Sequence, residues 1–435
     1  MNFISTRGVA PATDIGSALL AGLAPDGGLY VPEQLPRMQA SDFDGCTRLP
    51  DVATRLLQPF FAESELESQL ATICDEALDF PVPLTALANA PNTQVLELFH
   101  GPTAAFKDVG ARFLAACLAR LHRGERELTI LVATSGDTGA AVASAFHRRP
   151  GLRVVILYPD GRVSPRQAHQ LGCFGDNVDA FKVAGSFDDC QRMVKLALAD
   201  RELQAQRPLS SANSISLGRL LPQMSYYAMA ALARWRATEN ELGFVIPTGN
   251  LGNAMAALMA RAIGLPIGAI TLATNANHVL ADYFAGGEYL PHDSIATLAN
   301  AMDVGAPSNF ERLGWLFPDD PALRNSIAAE VVDDDTIRAT IRNADRDHAV
   351  ALCPHSACAL AVLRRLRAAG DRSDQAIVAT AHAAKFEQVV EPLLGCSVAV
   401  PASLAELLDR SAKATPMAAD YAAFRKILQT GGFPD

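Results

Sequence analysis

Lys107 stands in the segment Leu96-Glu-Leu-Phe-His-Gly-Pro-Thr-Ala-Ala-Phe-Lys-Asp108, with no lysine or arginine between Glu97 and itself. An apolar setting disfavours the ammonium form and leaves a free amine, the species that condenses with a carbonyl to give an imine. Taken alone, Phe106-Lys107-Asp108 reads better as a surface lysine that opens a helix and pairs with Asp108. Only six of the 37 cationic residues are lysines (Lys107, Lys182, Lys195, Lys385, Lys413 and Lys426); a coding bias towards arginine is the simpler explanation, and each lysine kept is a candidate for a position where guanidinium cannot substitute.

Two polar turns supply the other half of the chemistry. Gly249-Asn-Leu-Gly-Asn253 follows an apolar run and opens a helical pattern. Glycines at such a place let backbone N–H groups approach an anion, and the helix terminus adds partial positive charge, so a phosphate is the expected guest; a tight turn without ligand is the alternative. Thr134-Ser-Gly-Asp-Thr-Gly139 repeats the layout, with hydroxyls and helix amides suited to a carboxylate or a second phosphate. Asp137 fits this turn poorly, since a carboxylate repels an anion, and it reads as a helix cap. One amine and two anion turns together describe a site for a phosphorylated aldehyde cofactor, pyridoxal 5'-phosphate.

The elements that must position these groups alternate. Residues 1–92 read as helices and loops: a short helix Asp14–Leu23, a turn at Ala24–Gly28 and helical patterns through Glu63–Ala77, closed by Pro81, Pro83 and Pro91. Residues 93–236 form a first α/β unit, with strands Thr129–Ala133, Arg153–Tyr158 and Asp179–Val183 separated by helices from Thr138, Ser164 and Asp188, and then a helix Leu220–Arg236. Residues 237–435 form a second, with strands Gly243–Ile246, Ala269–Ala273 and Ala376–Thr380. The fold class is α/β, a parallel sheet in each unit, with ligands expected at the carboxyl ends of the strands.

Composition narrows the partners. The 435 residues carry a net charge of −10, which disfavours nucleic acid and anionic membrane as partners, and 49% apolar residues are enough for a large core. The eight cysteines contain no Cys-x-x-Cys pair and read as reduced thiols; Cys353-Pro-His-Ser-Ala-Cys358 lacks the second ligand cluster of a zinc site, and no metal is expected. Without a basic leader or a smooth apolar span, a cytoplasmic location is expected.

Longer motifs run in order along the chain: Gly22-Leu-Ala-Pro-Asp-Gly-Gly-Leu-Tyr-Val-Pro32, Leu96 to Arg112, Ala133 to Val142, Val155-Ile-Leu-Tyr-Pro159, Ser211-Ala-Asn-Ser-Ile215, Pro247 to Asn253, Ala273-Thr-Asn275, Asn300-Ala-Met-Asp-Val304 and Thr380-Ala-His-Ala-Ala-Lys-Phe386. In these the chain resembles the threonine synthase family in its bacterial and fungal branch, pyridoxal-phosphate enzymes of the tryptophan synthase β-like fold, fold type II. The resemblance implies that Lys107 is the Schiff-base and catalytic lysine, that Gly249, Asn250, Leu251, Gly252 and Asn253 hold the cofactor phosphate, and that the Thr380 hydroxyl meets the pyridine nitrogen. It places Arg112, Thr134, Ser135, Asp137, Thr138, Asn213 and Ser214 near the substrate, with Lys182 a further candidate for its phosphate and His100 a shaping or packing residue. Leu251 and Asn253 depart from the usual Gly-Asn-Phe-Gly-Asp; backbone amides make most of the contacts, so binding is expected to survive. Ala383 stands where proline is commoner.

The implied activity converts O-phospho-L-homoserine and water to L-threonine and phosphate, with no obligate protein partner. The alternatives are a phospho-lyase or deaminase on the same scaffold, and a catalytically silent protein that binds phosphorylated metabolites.

Overall fold

A computed structural model describes residues 1–124 and 126–431. Its strands, in chain order, are β1 (Phe3–Ser5), β2 (Tyr30–Pro32), β3 (Leu84–Ala86), β4 (Thr93–Glu97), β5 (Leu128–Ala133), β6 (Leu152–Pro159), β7 (Val178–Ala184), β8 (Leu209–Ser211), β9 (Leu242–Pro247), β10 (Ile267–Thr274), β11 (Ile327–Val331), β12 (Gln375–Ala379) and β13 (Thr415–Ala418). They form three sheets, ordered β1-β2, β11-β10-β9-β12-β4-β3 and β13-β7-β6-β5-β8. The five-stranded sheet is parallel throughout, and the six-stranded sheet is parallel except where β3 runs against β4.

Helices cover both faces of the parallel sheets, which is why β5 reads Leu-Thr-Ile-Leu-Val-Ala with no polar alternation and is buried along its whole length. One apolar cluster runs from the N-terminal helices through both sheets. A second lies between the six-stranded sheet and the helix Pro354–Ala368.

Strand order decides what meets. In the six-stranded sheet β12 lies between β9 and β4, so the chain leaving β12 at Thr380 emerges between the loop after β9 and the segment after β4 that leads to Lys107. Residues nearly 300 apart in sequence thereby share one crevice. β4 pairs into the sheet of β9 to β12, and β13 into that of β5 to β8.

Several element boundaries differ from the periodicity. The expected helix over Leu220–Arg236 is three pieces: a helical turn Leu217–Leu220, a 3-10 turn Leu221–Gln223 and a helix Met224–Thr238. Pro222 has no N–H to continue the ladder. Only Leu70–Ala77 of the Glu63–Ala77 pattern is α-helical, because Glu63 takes a left-handed φ of 63° and ends the preceding helix Leu49–Phe61. Among the described residues no helix is long and apolar enough to cross a membrane.

Candidate active site

The carboxyl ends of β4, β5, β9 and β12 open into one cavity of about 940 Å³. Lys107 enters it as the first residue of the helix Lys107–Leu121. The turn before it is strapped down: Phe106 N–H donates to Thr380 O (2.9 Å), His382 N–H to Ala104 O (3.0 Å), and Ala105 bridges Ala381. Ala104 is held at a left-handed φ of 54°, a conformation costly for a residue with a Cβ and kept by these bonds. Asp108 does not pair with Lys107. Its carboxylate accepts from Thr103 N–H (2.8 Å) and Thr103 Oγ1 (2.6 Å), closing the turn beneath Gly101, where any Cβ would fall 2.5 Å from Asp108 Oδ2. Burial lowers the Lys107 pKa to about 8; Asp137 pulls the other way, and Arg219 and Lys385 add to the lowering.

The loop after β9 is a cradle of backbone. Gly252–Ala262 is a helix whose first turn has no side-chain cap, and Leu251 precedes it at a left-handed φ of 63°. The N–H groups of that turn therefore face the cavity as free donors, the arrangement that binds a phosphate. Gly249 must be glycine, since a Cβ would lie 2.8 Å from Met302 Cα. Asn250 holds the loop together: Nδ2 donates to Ser214 Oγ (2.6 Å), and Oδ1 accepts from Ser308 N–H (2.5 Å). At Asn253 the hydroxyls of Tyr226 and Tyr227 both donate to Oδ1, leaving Nδ2 buried without a partner in the cavity wall. An unpaired donor beside an uncapped helix terminus fits an anionic tail.

The turn after β5 is built around Thr134, whose hydroxyl accepts from Gly136 N–H (3.0 Å) and Gly139 N–H (2.9 Å). Thr134 is thus spent inside the turn, while Ser135 and Thr138 line the cavity half-buried. Asp137 is no cap: its carboxylate is ion-paired with Lys385 (Oδ1 to Nζ, 2.8 Å) and accepts from Gln167 Nε2 (3.0 Å). Burial opposes its ionisation, but the ammonium groups of Lys385 and Lys107 outweigh burial and hold the carboxyl well below the usual range.

Arg219, not expected from the sequence, is 2% exposed and lines the cavity. One arm donates to Ala212 O (2.5 Å), and Nε has no partner. Burial lowers its pKa to about 10, so it remains a cation. Gly110 gives it room, for a Cβ there would fall 2.6 Å from Arg219 O and 2.9 Å from its Nε. Gly110→Ala is therefore expected to displace the guanidinium and raise KM for an anionic substrate by about tenfold, the cost of roughly one weakened charged hydrogen bond; steady-state kinetics at fixed cofactor saturation measures it.

Lys107, Thr134, Ser135, Asp137, Thr138, Asn213, Ser214, Gly249 to Asn253 and Thr380 all line the one cavity. Arg112 does not. It lies on the far side of its helix, where the guanidinium donates to Ala77 O (2.8 Å), Glu76 O (2.6 Å) and Asp79 Oδ1 (2.7 Å). His100 pairs with Glu97 (2.7 Å) and Lys182 sits within β7; neither lines the cavity. His355, also unexpected, does line it: burial lowers its pKa to about 4, and its Nε2 accepts from Ala301 N–H (3.0 Å), fixing the strip that packs on Gly249. The Cys353 thiol caps the Pro354–Ala368 helix through Ser356 N–H (3.4 Å), and among the described residues no group of three or more His, Cys, Asp or Glu could hold a metal.

A reactive amine, an anion cradle and a free hydroxyl at Thr380 accommodate pyridoxal 5'-phosphate, and comparison with known proteins agrees. Residues 82–383 match the family model described as pyridoxal-phosphate dependent enzyme, residues 2–78 that for the threonine synthase N terminus, and residues 356–428 that for the threonine synthase C-terminal region. The chain is 38% identical over 413 residues to the threonine synthase of Escherichia coli strain K12, covering 94% of this chain and 95% of that one. A crystal structure of the Escherichia coli threonine synthase superposes with a TM-score of 0.91 at 36% identity, covering 99% of this chain and all of the other. That of the PLP-bound threonine synthase from Brucella melitensis gives 0.89 at 34% identity, with 99% of each chain covered.

Proposed function

The chain belongs to the threonine synthase family of fold-type II pyridoxal-phosphate enzymes, and on that premise we propose that its cavity converts O-phospho-L-homoserine and water to L-threonine and phosphate. The observation that carries the reading is the meeting, at four strand ends, of the Lys107 amine, the open helix terminus after Gly249, the Thr380 hydroxyl and the buried Arg219 guanidinium. Pyridoxal 5'-phosphate, when bound, would supply an electron sink for the negative charge that develops at the substrate's amine-bearing carbon and at the carbon next to it.

The residues of this chain supply the rest. Lys107 would hold the cofactor at rest; once the substrate's own amine has taken its place, the freed Lys107 amine, with its pKa lowered to about 8, would take the proton from Cα, pass protons at Cβ and Cγ, and return one to Cα before recapturing the cofactor. Backbone N–H groups of Gly252 and Asn253, with Asn253 Nδ2, hold the cofactor phosphate. Thr380 offers a neutral hydroxyl to the ring nitrogen; its carbonyl, bonded to Phe106 N–H, keeps that hydroxyl in register with Lys107. Arg219, Ser135, Thr138, Asn213 and Ser214 receive the substrate's two anions, its carboxylate and its γ-phosphate. As the Cγ–O bond breaks, that cation and its neighbouring hydroxyls stabilise the departing phosphate. Water then adds at Cβ, giving the hydroxyl of threonine.

Product analysis tests the function. Purified protein with cofactor and O-phospho-L-homoserine should release phosphate and L-threonine in equal amounts; phosphate with α-ketobutyrate and no threonine would make it a phospho-lyase instead. We assign the protein to the cytoplasm on the strength of its eight free thiols. As domain units we propose 1–92, 93–236 and 237–435, the last two tied together by β4 and β13, each of which pairs into the other unit's sheet.

A further inference from the structure

Lys385 is wholly buried and does not reach the cavity, yet it touches both turns that matter there. Its Nζ donates to Thr103 O (2.7 Å), in the turn that delivers Lys107, and lies 2.8 Å from Asp137 Oδ1, at the start of the helix after the β5 turn. It belongs to the short 3-10 turn Ala383–Phe386, three residues beyond the strap at Thr380–His382. That turn is itself anchored, since Ser164 Oγ donates to Lys385 O (2.8 Å) and Arg166 to Ala384 O (2.5 Å). Gln167 completes the junction: Nε2 donates to Asp137 and Oε1 accepts from Asn300 Nδ2 (3.1 Å).

This arrangement resolves the misfit of Asp137. A carboxylate in the wall beside Ser135 and Thr138 would repel an anionic substrate and would hold Lys107 in its protonated form. A buried ammonium directly behind it cancels the charge without occupying the cavity. A buried ion pair is a poor source of stability, because desolvation offsets the attraction, so a pair retained at this position points to a positioning role.

We propose that Lys385 is a positioning residue of the reaction: from behind the cavity wall it balances the charge of Asp137 and locks that carboxylate to the Lys107 turn, so that an anionic substrate can sit beside it and Lys107 can work as a free amine. The proposal rests on the function given above for the substrate's identity, but the charge relation between Lys385, Asp137 and Lys107 can be read without any substrate.

The test uses Lys385→Met, Lys385→Arg, Asp137→Asn and the double variant Asp137→Asn/Lys385→Met. In full-length protein freed of cofactor, the titration of the Lys107 amine is followed by pH-dependent acylation and mass spectrometry. Besides Asp137 and Lys385, the groups facing this amine are Arg219, charged below about pH 10, and His355, neutral above about pH 4. Lys385→Met leaves Asp137 unbalanced and should raise the Lys107 midpoint by about one unit, whereas Asp137→Asn should lower it by a similar amount, shifts typical of one nearby charge. The double variant should return to within a few tenths of wild type.

With cofactor and O-phospho-L-homoserine, Lys385→Met should raise KM about tenfold or more with a smaller change in kcat, Lys385→Arg should recover part of the loss, and the double variant should recover most of it. Opposite shifts from the two single variants are something a merely structural pair would not give. An unmoved Lys107 midpoint in folded Lys385→Met, or a double variant as impaired as Lys385→Met, overturns the proposal. Should Lys385→Met fail to fold, Asp137→Asn and the double variant decide it alone. A wild type that makes no threonine overturns the proposed function and leaves the titration result standing.

Discussion

Lys107→Met is expected to reduce threonine formation by at least about 10³-fold, because one amine both holds the cofactor and carries the proton transfers, and a positioned acid–base group alone accounts for roughly 10²–10⁴. The loss should be chemical rather than structural. Pyridoxal 5'-phosphate should still bind through the loop after β9, but borohydride should no longer fix it to the chain. A second measurement needs no substrate. Burial takes the Lys107 pKa from its ordinary 10.5 to about 8, so between those values the unfolded chain binds more protons than the native one, and native stability rises with pH through that window. Below pH 8 the native state bears the full cost of a buried ammonium. Cofactor-free Lys107→Met should therefore melt higher than cofactor-free wild type at pH 7, and the gap should narrow as the pH is raised from 8 to 10. An equal melting temperature at pH 7 would mean that Asp137 already compensates the charge, and that burial does not lower the Lys107 pKa.

The sequence made the reactive amine and the two anion turns legible because each is local: a polar or glycine-rich turn at the end of an apolar strand carries its signal within about ten residues. What it hid were groups that reach the cavity from elsewhere. Arg219 lies in a four-residue helical turn within Leu217-Gly-Arg-Leu-Leu-Pro222, too short for periodicity, and its only mark is a cation alone among apolar residues. Lys385 was visible as one of six lysines, inside a motif already noted, but its partner is 248 positions away and only the strand order brings the two together. Asp137 announced itself as a misfit, a carboxylate where an anion belongs, and capping was the local explanation; the ion pair behind it is not local. Arg112 shows the converse error. The family resemblance placed it near the substrate, yet five residues along a helix from Lys107 turn the side chain by about 140°, and it faces Asp79 on the other side.

Element boundaries failed for related reasons. Pro222 and the left-handed Glu63 break helical patterns that hydrophobic spacing alone would carry through. Asn253, a departure from the commoner aspartate, would be read from sequence as the loss of a charge. In the structure it is the gain of a donor, because Tyr226 and Tyr227 occupy its oxygen and leave the amide nitrogen free.

Arg219→Met is the second large effect to expect, and it separates the substrate's two anions. Arg219 is a buried cation whose Nε has no partner, an arrangement that costs stability unless a guest anion completes it. Charged hydrogen bonds of this kind contribute about 1.5–3 kcal/mol each, so losing one or two should lower kcat/KM for O-phospho-L-homoserine by roughly 10²-fold or more. Arg219→Lys should restore only part of the loss, since an ammonium carries all its donors on one atom and cannot reach Ala212 O while placing another donor where the guanidinium fork spreads. The discriminating measurement is the affinity for L-threonine, which keeps the carboxylate and lacks the phosphate. If Arg219 receives the γ-phosphate, threonine binding should stay within about threefold of wild type while turnover of the phosphorylated substrate falls. Equal losses for both would move Arg219 to the carboxylate and leave the phosphate to Ser135, Thr138 and the Asn213-Ser214 turn. Tight binding of both, with turnover unchanged, would take the guanidinium out of substrate recognition altogether.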